Sequence, residues 1–455
     1  MSAPAPARRR LLETLGLHRP ELRAWAMYDW GVSAAQTTIT TAVFPIFFVS
    51  YAGAGLDGTK ASETWGIANT VGAVLIAVLA PLLGAIADYR AAKKRFLLLF
   101  MLLGVGSTLG MFFIGRGQIV LASVLFILLL AGATGSMTFY ESLLPHIARE
   151  DEIDRVSTAG YALGYVGGGL LLALNLLWIQ QPALFGLPSG EGLTPEQGSL
   201  PARLAFASVG VWWLLFSLPV LRTVPEPPRT IEADERPGES AWRVAFTRLG
   251  ETLRELRGYK QAFLMMLAFT IYNDGIQTII KMASVYGTEI GIGQGDLITA
   301  ILLVQFIGIP CAFAFGVLAG RIGAKRSIFL GLAVYTGICV FAYFMQSARE
   351  FYILAVLVGL VQGGTQALSR SLFATLIPKH KSGEFFGFFS VFEKFGGILG
   401  PLVFALVINR FQSSQLAILS VIAFFLVGGL VLLGVNVEAG ERAARAAEAD
   451  LRAVG

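Results

Sequence analysis

The sequence predicts an all-α polytopic membrane protein, with twelve transmembrane helices in two pseudo-symmetric bundles of six. Three observations carry this. Of 455 residues, 55% are hydrophobic and only 14% charged, where a soluble chain carries about a quarter charged residues. The apolar residues gather in runs close to the ~20 that a helix needs to cross a bilayer. Short motifs also recur at a nearly constant offset, as duplicated halves require. Disorder and collagen-like repeats are excluded by the same composition.

Taken in order, apolar runs place spans near 24–51, 64–87, 96–115, 119–146, 156–180 and 203–222, then near 260–289, 297–319, 327–347, 351–377, 385–409 and 414–436. The domains follow as 1–222, a linker at 223–259, a second bundle at 260–436 and a tail at 437–455. An even number of spans puts both termini on one side. Lysines and arginines in the termini and even-numbered loops outnumber those in the odd-numbered loops several-fold, which predicts cytoplasmic termini. The start, MSAPAPARRRLLETLGLHRPELR, has no uninterrupted apolar stretch and reads as an amphipathic lead-in rather than a signal peptide. Pro225, Pro227 and Pro228 end span six. In the linker, Trp242, Phe246, Leu249, Leu253 and Leu256 recur at helical spacing after Ser240, predicting either an interfacial helix or a helical spacer. The segment 182–202, with Gly186, Pro188, Gly190 and Gly192, reads as a flexible cover. The charged, alanine-rich tail predicts a short cytoplasmic helix.

The net charge of +5 comes from short basic tracts between spans, so it sets topology and implies no nucleic-acid partner. Cys311 and Cys339 lie inside apolar runs, and His18, His146 and His380 sit at run edges. No disulfide framework, metal cluster or cofactor site follows, and an enzyme is disfavoured. No GxxxxGK[ST] occurs, so gradients rather than direct ATP use are expected to drive any transport.

The duplication rests on GAIADYRAAKKR from Gly84 against GVLAGRIGAKR from Gly316, and on LLPH with Pro145 against LIPK with Pro378. A looser pair sets Tyr28-Asp29-Trp30-Gly31 against Tyr272-Asn273-Asp274-Gly275. The loop between spans two and three resembles that of the major facilitator superfamily, with Gly84, Asp88, Lys93, Lys94 and Arg95 matching its Gly-x-x-x-Asp and basic pattern. It departs at Ala91 and Ala92, where the pattern has Gly-Arg, and the second copy carries Gly320 in place of the acid. Asp88 is suited to the N-terminus of a helix in the other half, such as one beginning near Glu384, where the dipole favours an anion; a loop that only sets topology is the alternative. AWAMYDWGVSAAQTT at 24–38, YNDGIQTI at 272–279 and QGGTQALSRSLFATLIPKHKSGEFFGFFSVFEKFGGILGP at 362–401 more closely resemble the bacterial branch of the family that includes the fungal autophagy-related vacuolar amino-acid effluxer. That resemblance implies a transporter of the bacterial inner membrane, with amino acids as the leading substrate.

Charges within spans are costly and usually face a cavity or a partner, so they form the functional shortlist: Asp29, Glu141, Asp274, Lys281, Arg370, Glu393 and Lys394. Asp29, Ser33, Gln36 and Thr40 share one face of a regular helix, as do Asp274, Thr278, Lys281 and Thr288; each stripe either lines a cavity or bonds to a neighbouring helix. Tyr28, Asp29, Gln36, Asp274, Lys281 and Gln366 are the expected substrate-binding residues. Asp274 and Lys281, two turns apart, suit opposite ends of a zwitterion. Arg370 and Glu393 lie at similar depth and are expected to pair, either as a fixed ion pair or in coupling; Glu141 is either protonatable or a gate residue, and Lys394 joins this set. Gly160, Gly164 and Gly168 on span five, and Gly396 and Gly400 on span eleven, read as packing positions.

The function expected is therefore secondary active transport of a small polar or zwitterionic solute by a proton-coupled, alternating-access monomer in the lipid bilayer. A lipid or lysolipid translocase is the alternative. A receptor or membrane enzyme would need a soluble domain or a reactive cluster that the sequence does not offer.

Overall fold

In the computed structural model, residues 7–229 and 259–454 are described, except positions 57, 290, 293, 396 and 398. The expected linker helix at 240–257 lies outside the described residues. Eleven spans form helices long and apolar enough to cross a membrane. In the first half these are Pro20–Ala52, Gly58–Arg90, Lys93–Met111, Ile119–Ile147, Ile153–Gln180 and Pro195–Thr223. In the second they are Lys260–Glu289, Gln294–Ile322, Ala324–Tyr343, Ala348–Thr375 and Ser414–Leu433. Span eleven is the exception, in two pieces: Ser382–Phe395 and Leu399–Phe411.

Local chemistry explains where the helices depart from expectation. Span six starts at Pro195, inside the stretch read as a flexible cover, because Thr194 and Gln197 form a reciprocal capping box and Pro195 takes the first turn, where no N–H is needed. Span one changes to π-helix over Ala35–Val43, just before Pro45. The proline has no N–H to continue an α ladder, and the hydroxyls of Thr40 and Thr41 bond back five residues to the carbonyls of Ala35 and Gln36. The wider turn rotates everything beyond Ala35, so the expected stripe breaks there. Asp29 and Ser33 remain together, Thr37 turns to the Gly168 carbonyl of span five, and Gln36 is exposed. Span eleven breaks where Gly396, Gly397 and Gly400 accumulate before Pro401, residues that hold helix poorly.

Within the first half span one packs on spans five and six, and span four on spans two and three; in the second, span seven packs on span twelve and span ten on spans eight and nine. Spans two and eleven, five and eight, and five and ten join the halves. The duplicated glycines mark the closest approaches. A Cβ on Gly84 would lie 2.2 Å from the Gly383 carbonyl oxygen, and one on its repeat mate Gly316 would lie 2.2 Å from Thr158 Oγ1. These contacts fall on the side of the termini. There the tail helix Val437–Val454 also reaches across, with Arg445 paired to Glu150 at 3.1 Å. His18 and Arg19 of the lead-in bind the buried Glu152 at the start of span five. The described residues are all helix and connecting turns, and the bundle is closed on that side.

Candidate functional site

A buried polar cluster is built around Arg370 of span ten, which is 1% exposed. Its guanidinium crosses to the other half. Nε donates to Ser157 Oγ at 3.0 Å and Nη2 to the Ser157 carbonyl at 2.8 Å, while Ser157 Oγ donates to the Ala367 carbonyl at 2.7 Å. Nη1 faces two carboxylates, Glu141 Oε1 at 3.5 Å and Asp29 Oδ2 at 3.6 Å, without a hydrogen bond to either. Three rings close the cluster, with centroids 4.6 Å (Tyr161), 5.0 Å (Trp25) and 5.7 Å (Tyr140) from the guanidinium carbon. A delocalised, weakly hydrated cation suits such a cage. Tyr140 OH donates to Asp29 Oδ2 at 3.3 Å, and Trp25 Nε1 donates to the Tyr140 carbonyl at 2.9 Å.

This corrects the expected pairing of Arg370 with Glu393. Similar depth in the membrane does not set direction around a helix: Arg370 points toward span five, where Gly160 leaves room. A Cβ there would come within 3.1 Å of Nη2 and 2.9 Å of Tyr140 OH. The glycine stripe of span five therefore makes space for charge, with Gly164 doing the same for Asp29 Oδ1, 2.8 Å from its hypothetical Cβ. Glu393 is partly buried; the side chain of Lys394 lies outside the described residues.

A second cluster joins the halves at the loop between spans two and three. Asp88 accepts from the backbone N–H of Gly383 at 3.1 Å and of Glu384 at 2.9 Å, at the start of the first piece of span eleven. There the helix dipole and unpaired N–H groups favour an anion. Lys93 Nζ is 2.6 Å from Asp88 and donates to Ser382 Oγ at 2.6 Å; Ser382 in turn donates to the Ser142 carbonyl at 3.0 Å. His146 Nε2 lies 3.1 Å from both Lys93 Nζ and Ser382 Oγ. The basic run divides here. Lys93 is buried in this cluster, while the Lys94 backbone N–H donates to Glu226 and Arg95 is exposed outside it.

The expected solute-binding residues do not form one pocket. Asp274 is buried and accepts from the Gly400 backbone N–H at 3.0 Å, at the start of the second piece of span eleven; its Oδ1 has no hydrogen-bond partner. Lys281 Nζ donates to the carbonyl of Gly397, within the break, at 3.1 Å. Gln366 Nε2 donates to Asn273 Oδ1 at 3.4 Å. Asp29 belongs to the Arg370 cluster, Tyr28 is fully buried with its ring 5.0 Å from that of Tyr140, and Gln36 stands apart. Sequence reasoning missed Trp25, Tyr140, Ser157 and Tyr161, which carry no charge to single them out within a span, and read His146 only as a residue at the edge of an apolar run.

Comparison with known proteins places this geometry in context. The family model described as vacuole effluxer Atg22 like matches residues 60–445. An uncharacterised MFS-type transporter of Bacillus subtilis, YxiO, is 35% identical over 417 residues, covering 90% of this chain and 93% of that protein. Autophagy-related protein 22 of Kluyveromyces lactis is 26% identical over 78% of this chain and 75% of its own length; for that of Yarrowia lipolytica, also 26% identical, the chain spans about half its length, 51%. Among solved structures, the proton:xylose symporter XylE superposes with a TM-score of 0.67 at 14% identity, covering 91% of this chain and 95% of that one. FucP in the outward conformation gives 0.67 at 14%, covering 92% and 100%.

Proposed function

The chain belongs to the Atg22-like family and is a transporter of the major facilitator superfamily, and from that membership we propose that it moves a small polar or zwitterionic solute, an amino acid before others, by alternating access coupled to protons. The observation that carries this reading is the charge count at Arg370: one guanidinium faces two carboxylates of the opposite half. With both ionised, the buried cluster holds one net negative charge, which a low-dielectric interior penalises. One proton on Asp29 or Glu141 cancels it. The same proton removes one of the two attractions that hold span ten to spans one and four, so protonation and separation of the halves are linked through shared atoms.

Solute recognition is assigned to the break in span eleven. There a backbone N–H is held by Asp274 and a backbone carbonyl by Lys281. A solute carboxylate can replace the Asp274 side chain on the helix end, and a solute ammonium can replace Lys281 on the carbonyl, as broken helices in transporters allow. Asn273 and Gln366 stand alongside. The basic-residue distribution supports cytoplasmic termini, the likeness to YxiO of Bacillus subtilis supports a bacterial plasma membrane, and one chain supplies both halves, so a monomer suffices.

The test is amino-acid flux in proteoliposomes. Collapse of the proton gradient should abolish accumulation, and Glu141→Gln should abolish gradient-driven accumulation while sparing solute exchange at equal pH. Accumulation that ignores the proton gradient would overturn the coupling, and Asp274→Asn with unchanged solute affinity would overturn the binding assignment.

A further inference from the structure

On the side of the termini, a crevice of about 570 Å³ lies between the end of span two, the first turns of span three and the chain leaving span six. Arg90, Arg95 and Arg229 line it together with Tyr89, Phe96 and Leu99. All three arginines are exposed, and among the described residues none has an ion-pair partner. The segment carrying Arg229 is fixed in place. Val224 and Pro227 are buried, Glu226 Oε2 accepts from the Lys94 backbone N–H at 2.9 Å, and the Arg229 guanidinium carbon rests 4.7 Å from the centre of the Tyr89 ring. Pro225, Pro227 and Pro228 restrict its backbone further. Burial pushes the Glu226 carboxyl up, against the backbone N–H groups of Lys94 and Lys93, which hold it down; among the described residues it makes no ion pair with these arginines.

We propose that this crevice binds an anionic phospholipid, with the headgroup phosphate among Arg90, Arg95 and Arg229 and an acyl chain along Phe96 and Leu99. Guanidinium groups match phosphate oxygens in pairs, and each basic residue at a membrane surface favours an anionic headgroup over a neutral one. The apolar wall selects a lipid over a free phosphate: Leu99 is 59% exposed and lies a turn and a half into span three from Lys93. The site brackets the loop that carries Asp88 and Lys93, so an occupant steadies the contact between the halves. It is independent of which solute is carried.

Native mass spectrometry of the full-length protein in detergent tests this, with phosphatidylglycerol and phosphatidylcholine of the same chains as probes. The wild type should retain phosphatidylglycerol about tenfold more tightly, and millimolar inorganic phosphate should not displace it. Arg229→Gln, on an exposed segment, should reduce the preference several-fold, and adding Arg90→Gln and Arg95→Gln should bring the two lipids to parity. A wild type without preference would overturn the proposal. So would a preference that survives the triple variant or, if that variant fails to fold, one unchanged in Arg229→Gln. Displacement by inorganic phosphate would make this a free-anion site and overturn the lipid assignment.

Discussion

Arg370 pairs one cation with two buried carboxylates from the other half. Removing a buried counter-charge typically costs about 3–5 kcal/mol, because the remaining charge stays desolvated. Arg370→Gln should therefore lower the thermal midpoint in detergent markedly. Neutralising one acid as well, in Arg370→Gln with Glu141→Gln, should recover part of the loss, since one buried carboxylate, Asp29, and not two is then left without its cation; a double variant less stable than the single one would contradict the charge account. Ala91 offers a second measurement at this scale. Its φ is +49°, a left-handed conformation that costs a side chain about 1–2 kcal/mol, at the loop position where the superfamily pattern has glycine. Glycine's extra unfolded-state freedom takes back roughly 0.5–1 kcal/mol, so Ala91→Gly should leave stability unchanged or raise it by up to about 1.5 kcal/mol. A clear loss in a melting experiment would mean that the backbone is not strained there.

Among the elements, the two breaks and the two close approaches matter most. The first piece of span eleven is held at its N-terminus by Asp88 and pressed against span two at Gly84. Gly84→Ala places a methyl against backbone that has no rotamer to yield. It should push span two away from span eleven, raising the accessibility of a cysteine introduced at Ser382 to thiol reagents, while Asp88→Asn should act in the same direction by weakening the anion at the helix end. Unchanged labelling in Gly84→Ala would show that the glycine contact does not govern closure. The repeat itself was readable: GAIADYRAAKKR and GVLAGRIGAKR were matched as sequence, and each of their leading glycines meets the other half. That the second copy lacks an acid was also readable. Its compensation was not: in the second interface Ser371 donates to Asp154 Oδ1 at 2.5 Å from a different span.

Across the whole molecule, the contacts between the halves gather on the side of the termini. Thr138 Oγ1 and Ser390 Oγ lie 2.7 Å apart across the interface between spans four and eleven. With Cys311→Ser and Cys339→Ala as background, Thr138→Cys with Ser390→Cys should form a disulfide that stops transport and releases it on reduction. A cross-linked protein that transports at the full rate would exclude separation of the halves at this point.

Sequence alone determined the class, the number and order of spans, the duplication and a shortlist of charges within spans, because the bilayer imposes its length and polarity on every span independently of its neighbours. Tertiary structure decided which charges meet. Arg370 was on the shortlist with the right depth, yet its partners turned out to be Asp29 and Glu141 instead of Glu393. That choice depends on the rotation of span ten about its own axis and on the space left by Gly160, neither of which is written in spacing along one chain. In the same way, the π-helical stretch before Pro45 redirected the far end of span one, and the break in span eleven took up Asp274 and Lys281. Local irregularities that shift a helix by a fraction of a turn leave hydropathy untouched but change every partner beyond them.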